Sequence, residues 1–406
     1  MKFIARQPIL NRRREVFAYE LLFRSGIQNC CQAVNLDQAS ASMLDTSFMI
    51  GLNKLTGGQR AFVNCPRDFL LLDYISLFPR DMVVIELLET IKPDASVVEA
   101  CRKLKHDGYL LALDDFEDTP DWAPLIGIAD FIKVDFRLTN RAQQQALVAR
   151  YAEKGIHMLA EKVETQQEFS EAMQMGYSLF QGYFFCRPEI VQQRAIPTSK
   201  LAYLELLGAA MAPEFDVQEL ASKIKHEPSL TFKLLRYLNS AAFALRGEIQ
   251  SIPHALSLLG EHELRKWIAV VSVGVMAGGK PDELMTVPLV RGRFCELLAP
   301  LAGMPGHAND LFLLGLLSVM DAVLDQPLAV ILDDLPVRHE IKEAMLARKG
   351  LYWDLLQIAM AHERADWETI SALASRMGIN EDQIPEIYIS AVDWASALRR
   401  HDFVSV

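Results

Sequence analysis

The sequence predicts an α/β domain with a modified TIM-like (β/α)8 barrel, followed by an all-α domain. In the first half of the chain, short β-branched or aromatic runs alternate with amphipathic stretches. Eight such runs fall in fewer than 200 residues, which favours a compact barrel. After Arg187 and Pro188 the apolar residues recur three and four positions apart, as in helices. An open, doubly wound sheet is the structural alternative for the first half.

The eight strand candidates are separated, for the most part, by helix-like segments. The candidates are residues 3–10, 15–22, 61–64, 82–87, 109–116, 130–136, 156–163 and 179–185. Helix-like segments lie at 94–108, 141–155 and 165–176, and glycine follows the last helical turn, as it does at helix C-caps. Strand, helix and strand in this order predict a parallel sheet covered by helices.

The second half carries helical periodicity interrupted by proline and glycine, and the strand-rich alternation does not return. We therefore predict domains at residues 1–190 and 197–406, with the boundary near 189–197. The C-terminal part of the second domain is expected to be a helical extension.

Composition limits the function classes. With 41 Lys and Arg against 52 Asp and Glu, the formal charge is 41 − 52 = −11, which argues against direct nucleic-acid binding or binding to an anionic membrane. The longest apolar run, 268–278, is too short to span a bilayer. Charged residues interrupt the apolar stretches at the N-terminus, which is not typical of a secretory signal peptide. Six cysteines without a CxxC spacing suggest free thiols in a reducing compartment. We expect a soluble, cytoplasmic protein.

Polar residues recur at the carboxyl ends of the strand candidates. They are Glu20, Asn64, Glu86, Asp114, Asp115, Lys133, Glu161 and Gln181. In a parallel barrel these ends meet at one rim, where active sites form. An all-oxygen donor set selects Mg²⁺ or Mn²⁺ over zinc, and closely spaced carboxylates need a cation to stay ionised. Two such ions could hold a phosphodiester, Lys133 could orient or activate a water molecule, and Glu161 could accept its proton.

A single carboxylate at a strand end is more often a cap or turn residue than a ligand. That simpler interpretation fits Asp118, Asp121 and Asp135 well. It fits the whole set poorly, because successive strand ends carry the same chemistry.

These residues resemble the successive motifs of the EAL domain, a family of bacterial phosphodiesterases that hydrolyse cyclic di-GMP to pGpG. The resemblance rests on YELLFR, FVN, IELLE, LDDF, FIKVD, AEKVET and FQGYFFCRP, in that order, and it covers most of residues 1–190. It implies a barrel with one antiparallel strand, and catalysis with Mg²⁺ or Mn²⁺, two ions in the active form.

The resemblance also implies a role for each matched residue. It makes Glu20, Asn64, Glu86, Asp114 and Asp115 metal ligands, Lys133 and Glu161 catalytic, and Arg24, Glu164 and Gln181 substrate-binding. The chain departs from the family pattern after Asp115, where residues 117–122 read EDTPDW and lack the glycines of the family loop.

The second half resembles the HDOD domain, a helical module related to HD phosphohydrolases, from roughly residue 196 into the 330s. HD enzymes carry a His-Asp metal pair where this chain has Ser318 and Val319, neither of which can replace that pair at a dication. We therefore interpret this domain as a non-catalytic regulatory or interaction module.

Two functions stay open on the residues alone. The first is a metal-dependent cyclic di-GMP phosphodiesterase, indicated by the complete ligand set. The alternative is a catalytically degenerate EAL domain that binds cyclic di-GMP as a sensor or acts as a protein-interaction scaffold, indicated by the altered loop. Cyclic di-GMP is the expected ligand of both the phosphodiesterase and the sensor, and a protein partner for the helical domain and a homodimer are further expectations.

Overall fold

The computed structural model describes residues 4–23, 52–187, 198–212, 252–333 and 335–400, together with residues 224, 230, 233 and 234. Arg24 and the predicted domain boundary at 189–197 lie outside the described residues. The chain divides into two compact units, the first comprising residues 1–187 and 362–367 and the second comprising 188–361 and 368–406. Each unit is described separately.

The first unit is a closed eight-stranded barrel with the strands in sequence order. The strands are β1 Ile4–Asn11, β2 Val16–Phe23, β3 Arg60–Cys65, β4 Val83–Leu87, β5 Leu110–Leu113, β6 Phe131–Asp135, β7 His157–Glu161 and β8 Leu179–Gln181. Strand β1 is antiparallel to both β2 and β8, whereas all other neighbours are parallel. The predicted barrel is confirmed, and the open-sheet alternative is wrong because β1 pairs with β8.

Helices cover the parallel strands of the barrel. They are α1 Arg67–Leu71, α2 Ala95–His106, α3 Ala123–Ile126, α4 Arg141–Tyr151 and α5 Gln166–Met175, with 3₁₀ turns at Tyr74–Leu77, Pro120–Trp122, Ala152–Lys154 and Phe184–Cys186. Capping boxes at Asn140 and Thr165 start α4 and α5, because their side chains accept backbone N–H groups that have no partner inside the helix. The predicted helix 141–155 is shorter than expected, since α4 ends at Tyr151 and continues as a 3₁₀ turn.

One apolar layer fills the barrel interior, and every strand supplies one residue to it. The layer consists of Ile9, Ala18, Phe62, Val84, Ala112, Phe131, Leu159 and Leu179. Phe62 and Phe131 pack edge to face with ring centroids 5.2 Å apart. Small residues on β2 and β5 leave room for these two rings, so the interior is a packed core without a pore.

Gly182 follows β8 at φ 142°, a conformation that disfavours any residue with a Cβ. A Cβ on Gly182 would lie 1.9 Å from the carbonyl oxygen of Val163, and the Val163 N–H donates to the Gln181 carbonyl at 2.9 Å. Glycine is therefore required where the chain after β8 passes against the chain after β7.

In its described part, the second unit is built from helices, as the sequence predicts. They are α6 Thr198–Met211, α7 Ile252–Met276, α8 Glu283–Leu298, α9 Ala308–Leu317, α10 Met320–Leu324, α11 Leu328–Asp333, α12 His339–Lys342, α13 Gly350–Glu363, α14 Trp367–Met377 and α15 Ile384–Arg400, with short helical turns at Pro305–His307, Glu343–Ala347 and Glu381–Gln383. The ends of α13 and α14 at 362–363 and 367 belong to the first unit. Gly260 interrupts α7 with φ 69°. Among the described residues, no helix has both the length and the apolarity needed to cross a membrane.

Candidate active site

A polar layer lies next to the apolar layer of the barrel, and the strand repeat explains why. Side chains two positions apart on a strand point to the same side, so the residue two places beyond each core residue faces the same interior. On β2 to β8 this residue is Glu20, Asn64, Glu86, Asp114, Lys133, Glu161 and Gln181 in turn. Because β1 is antiparallel, its residue in this layer lies two places before the core residue Ile9, at Gln7. The structure therefore brings seven sequence-predicted residues into one layer and adds an eighth.

Lys133 lies at the centre of this layer and is almost completely buried. Its Nζ is 2.7 Å from Glu86 Oε1, 2.8 Å from Asp114 Oδ1, 2.9 Å from Glu161 Oε1 and 3.4 Å from Glu20 Oε2. One ammonium group thus faces four carboxylates, which come from β2, β4 and β7 and from the residue after β5. A single positive charge only partly balances this set, so the layer is suited to a further cation.

Burial and mutual repulsion shift the pKa values of these groups. Burial, and then the charge of Glu20, raises the pKa of Glu86 well above its usual range. Burial also raises the pKa of Glu161 to about 8, although Lys133 opposes the shift. Burial disfavours the Lys133 ammonium, but the surrounding carboxylates outweigh it and raise the Lys133 pKa well above the ordinary value. Asp115 has a raised pKa because of burial and the neighbouring Asp114 charge.

Several oxygens of the site are buried and accept no hydrogen bond from any described residue. They include Asn64 Oδ1, Glu86 Oε2, Asp115 Oδ1 and Gln181 Oε1. Buried acceptors without a partner are costly, and in native proteins they indicate a ligand, ion or water. Ligand oxygens of Asp114, Asp115 and Glu161 also lie within 4.8 Å of one another. The donor chemistry and these unsatisfied oxygens fit a hard divalent cation.

A chain of amide hydrogen bonds fixes Glu20. Gln181 Nε2 donates to Glu20 Oε2 at 2.6 Å and to Gln7 Oε1 at 2.8 Å. Gln7 Nε2 in turn donates to the Glu363 carbonyl at 3.3 Å. These contacts hold one Glu20 oxygen in place, as residues around a metal ligand commonly do. Gln7 is not among the predicted site residues, because those lie at carboxyl strand ends and β1 runs in the opposite direction.

A cavity of about 660 Å³ opens above the polar layer. Its rim carries basic and aromatic side chains that are not among the predicted site residues: Arg137, Lys162, Tyr183, Arg187 and Arg364. The predicted substrate-binding residue Glu164 lines the cavity as well and pairs with Arg187 at 3.6 Å. An acidic floor below a basic rim is an arrangement suited to a ligand that carries phosphate.

Two residues of the site have left-handed backbone conformations that non-glycine residues rarely adopt. Asp115 has φ 38° and Lys162 has φ 55°. The Lys162 ammonium contacts Asp135, whose other carboxylate oxygen accepts the backbone N–H groups of Arg137 and Leu138. Asp135 therefore stabilises a turn, in agreement with its interpretation as a structural residue. Strain of this kind persists where the surrounding structure fixes the chain, often at functional sites.

The loop after Asp115, which lacks the family glycines, is held by its own packing. Buried Trp122 and Phe116 have ring centroids 6.4 Å apart, and Phe116 packs edge to face on Tyr151 at 5.7 Å. The Tyr151 hydroxyl donates to Asp118 Oδ1 at 2.5 Å, and Arg150 pairs with the same carboxylate. These contacts hold the loop through an aromatic cluster and an ion pair.

Of the predicted site residues, Arg24 lies outside the described residues, and the structure therefore places no side chain for it. In the second unit, Ser318 and Val319 stand at the position of an HD metal pair, and both take part in the packing of the unit. Ser318 Oγ donates to the Gly315 carbonyl at 2.6 Å and accepts from Arg291 at 3.0 Å, and Val319 is buried. Their contacts agree with a structural function for both.

Comparison with known proteins identifies the two halves. A family model described as the EAL domain matches residues 65–188, and one described as the HDOD domain matches residues 196–324. The protein YuxH of Bacillus subtilis is 34% identical over 405 residues, which cover 98% of each chain. Cyclic di-GMP phosphodiesterase CdgJ of Vibrio cholerae is 32% identical over 402 residues, covering 98% of this chain and 93% of CdgJ. The crystal structure of the EAL domain of Mycobacterium smegmatis DcpA matches with a TM-score of 0.36 and 20% identity, covering 45% of this chain and 90% of that one.

Proposed function

This chain belongs to the same family as YuxH and CdgJ, with an EAL domain followed by an HDOD domain, and on that premise we propose that its barrel hydrolyses cyclic di-GMP to pGpG in a metal-dependent reaction. The observation that carries the proposal is the cluster of four carboxylates around the buried Lys133 ammonium. The relative CdgJ is named for the same activity.

We assign the metal to the oxygens of the polar layer. Glu20, Asn64, Glu86 and Asp114 would hold a first ion, and Asp115 a second. The buried acceptors of Asn64 and Asp115 that lack a hydrogen-bond partner among the described residues support this assignment. Bound Mg²⁺ or Mn²⁺ supplies Lewis-acid stabilisation of the negative charge that develops on the phosphodiester.

Lys133 and Glu161 are the catalytic pair of this proposal. The Lys133 ammonium orients the attacking water, and Glu161, 2.9 Å from Nζ, accepts the proton of that water. The oxygen of the water forms a bond to phosphorus, the bond from phosphorus to the 3′ oxygen breaks, and the 3′ oxygen takes up a proton from the surrounding water. The product is the linear dinucleotide.

Further parts of the proposal concern binding and partners. We assign Gln181, Glu164 and Arg24 to substrate binding and the helical domain to a regulatory or interaction function without catalysis. A protein partner for that domain, a homodimer, a cytoplasmic location and domain bounds at 1–190 and 197–406 stay predictions.

The test is incubation of the full chain with cyclic di-GMP and excess Mn²⁺ or Mg²⁺, followed by chromatography for pGpG. Turnover should fall at least a hundredfold in Lys133→Ala and in the isosteric Glu161→Gln. It should persist in Lys105→Ala, because Lys105 pairs with Asp130 and does not line the cavity. Circular dichroism of each variant with metal checks that the fold is retained.

The altered loop after Asp115 favours a second candidate, a sensor that binds cyclic di-GMP without turnover. Nucleotide titration of the metal-loaded protein distinguishes the two. Tight binding without pGpG would establish the sensor, and neither binding nor turnover would overturn both functions.

A further inference from the structure

A short segment far along the chain, residues 362–367, belongs to the compact unit that contains the barrel. Two of its residues, Arg364 and Ala365, line the cavity above the polar layer. None of the motifs of residues 1–190 includes this segment, so the proposed function leaves its role open.

The segment is fixed where it meets the site. Gln7 Nε2 donates to the Glu363 carbonyl at 3.3 Å, and Gln7 connects through Gln181 to Glu20. Ala365 has φ 55°, a left-handed conformation that is unfavourable for a residue with a Cβ. Its N–H donates to the His362 carbonyl at 3.1 Å, which closes a tight turn. A strained turn held by a defined partner presents the residue beside it, Arg364, in a fixed position.

Arg364 differs from the other cations of the rim. Arg137 pairs with Glu168 at 2.5 Å, Lys162 contacts Asp135, and Arg187 pairs with Glu164. Within the described part of the chain, no carboxylate pairs with Arg364. Its guanidinium lies over the Tyr183 ring, 5.7 Å from the ring centroid, and the residue is exposed. Stacking on an aromatic ring leaves the N–H donors at the edge of the guanidinium available to a ligand.

We propose that Arg364 binds a phosphate of the cyclic dinucleotide at the rim of the cavity, with Tyr183 holding its guanidinium in place. The inference rests on the proposed function, because that function supplies the phosphate. A guanidinium suits this task, since two parallel N–H groups match two phosphate oxygens. The acidic floor of the cavity repels an anionic ligand, so a guanidinium that pairs with no carboxylate of the described residues lowers the cost of its entry.

The test compares Arg364→Gln with Arg348→Gln in the full chain. Arg348 is a matched control, because its guanidinium also lies over an aromatic ring, 5.8 Å from the Trp353 centroid, and it does not line the cavity. In Arg364→Gln, the KM for cyclic di-GMP should rise at least tenfold, while kcat changes less than about twofold. The Kd for cyclic di-GMP should also rise at least tenfold when Arg364→Gln is added to the Glu161→Gln background, which prevents turnover. Arg364→Lys should recover part of the affinity, and Arg348→Gln should match the parent protein.

Salt dependence gives an independent readout. The Kd of the parent should increase more steeply with NaCl concentration than that of Arg364→Gln, because one phosphate contact is lost. If the parent binds cyclic di-GMP and Arg364→Gln binds it equally well with the same salt dependence, this inference is wrong and the proposed function stands. If the parent neither binds nor cleaves the nucleotide, the proposed function fails and the inference fails with it.

Discussion

Gln7 lies directly opposite Glu20 in the antiparallel pair of β1 and β2, and both side chains accept a hydrogen bond from the same atom, Nε2 of Gln181. The only antiparallel strand of the described barrel thus holds a proposed metal ligand in position. This strand also closes the barrel by pairing with β8. The strand that closes the barrel therefore also supplies a side chain to the hydrogen-bond chain that orients Glu20.

Replacing Gln7 with leucine should weaken metal binding. The change removes the acceptor that orients Gln181 and leaves Glu20 with a less defined position, which for residues behind a metal ligand costs about ten- to a hundredfold in affinity. The measurement is the Mn²⁺ concentration that produces half of the maximal rise in Tm. Gln167→Leu is the control, because Gln167 bonds a half-buried carboxylate, Glu171, and neither residue lines the cavity. An unchanged Mn²⁺ midpoint in Gln7→Leu would contradict the positioning role.

Lys133→Met should destabilise the metal-free protein. Removing one partner of a buried ion-pair cluster leaves charges without compensation and costs about 3–5 kcal/mol. Saturating Mn²⁺ should reduce this loss, because the ion stabilises the same carboxylates and binds the folded state. Urea unfolding with and without Mn²⁺ measures both values. Lys105→Met should lower the free energy of unfolding by less, since the ion pair of Lys105 with Asp130 is partly exposed. Equal losses in the two variants would argue that the central ammonium is not balancing the cluster.

Gly182→Ala should be strongly destabilising, by about 3 kcal/mol or more, because the added methyl group overlaps the Val163 backbone and the φ of 142° is unfavourable for alanine. Gly127→Ala is the matched control, with no atom within 4 Å of the added Cβ and an ordinary φ of −69°. Thermal unfolding of the two variants compares them directly. Similar Tm values would mean that the chain after β8 moves away at little cost.

The thiols of Cys65 and Cys101 should resist alkylation in the native protein. Burial raises the pKa of each to about 12, and in Cys65 the neighbouring Cys101 adds to the shift. A folded pKa this high leaves only about one thiolate in ten thousand at pH 8, and about ten times more at pH 9. Iodoacetamide labelling followed by peptide mass spectrometry should find both residues unmodified at pH 8 and fully modified after denaturation. Labelling at the rate of a free peptide would show that the barrel opens at this position.

The period of two along each strand made most of the polar layer predictable from the sequence. Glu86, for example, stands two residues after Val84 in an otherwise apolar run, and the same spacing repeats from Ala18 and Glu20 to Leu179 and Gln181. Local patterns of this kind carry strand position and side-chain direction together.

Other parts of the site depend on contacts that no local pattern encodes. Arg364 is separated from Tyr183 by almost half of the chain, and its position at the rim results from tertiary packing alone. Gln7 can be assigned to the site only if β1 is known to be antiparallel. In an antiparallel strand the amino end, and not the carboxyl end, faces the site. Lys162 lies in a left-handed turn whose conformation is imposed by its surroundings rather than by its own preference.

Because each strand supplies a single residue to the polar layer, the site is assembled late during synthesis of the chain. Gln7 and Gln181 are 174 residues apart, so the ribosome needs about 10–35 s to produce the second after the first. Until β8 emerges, β1 lacks one of its two neighbours and the carboxylates remain exposed to water. The polar layer of the nascent chain is therefore complete only after the last strand has closed the barrel.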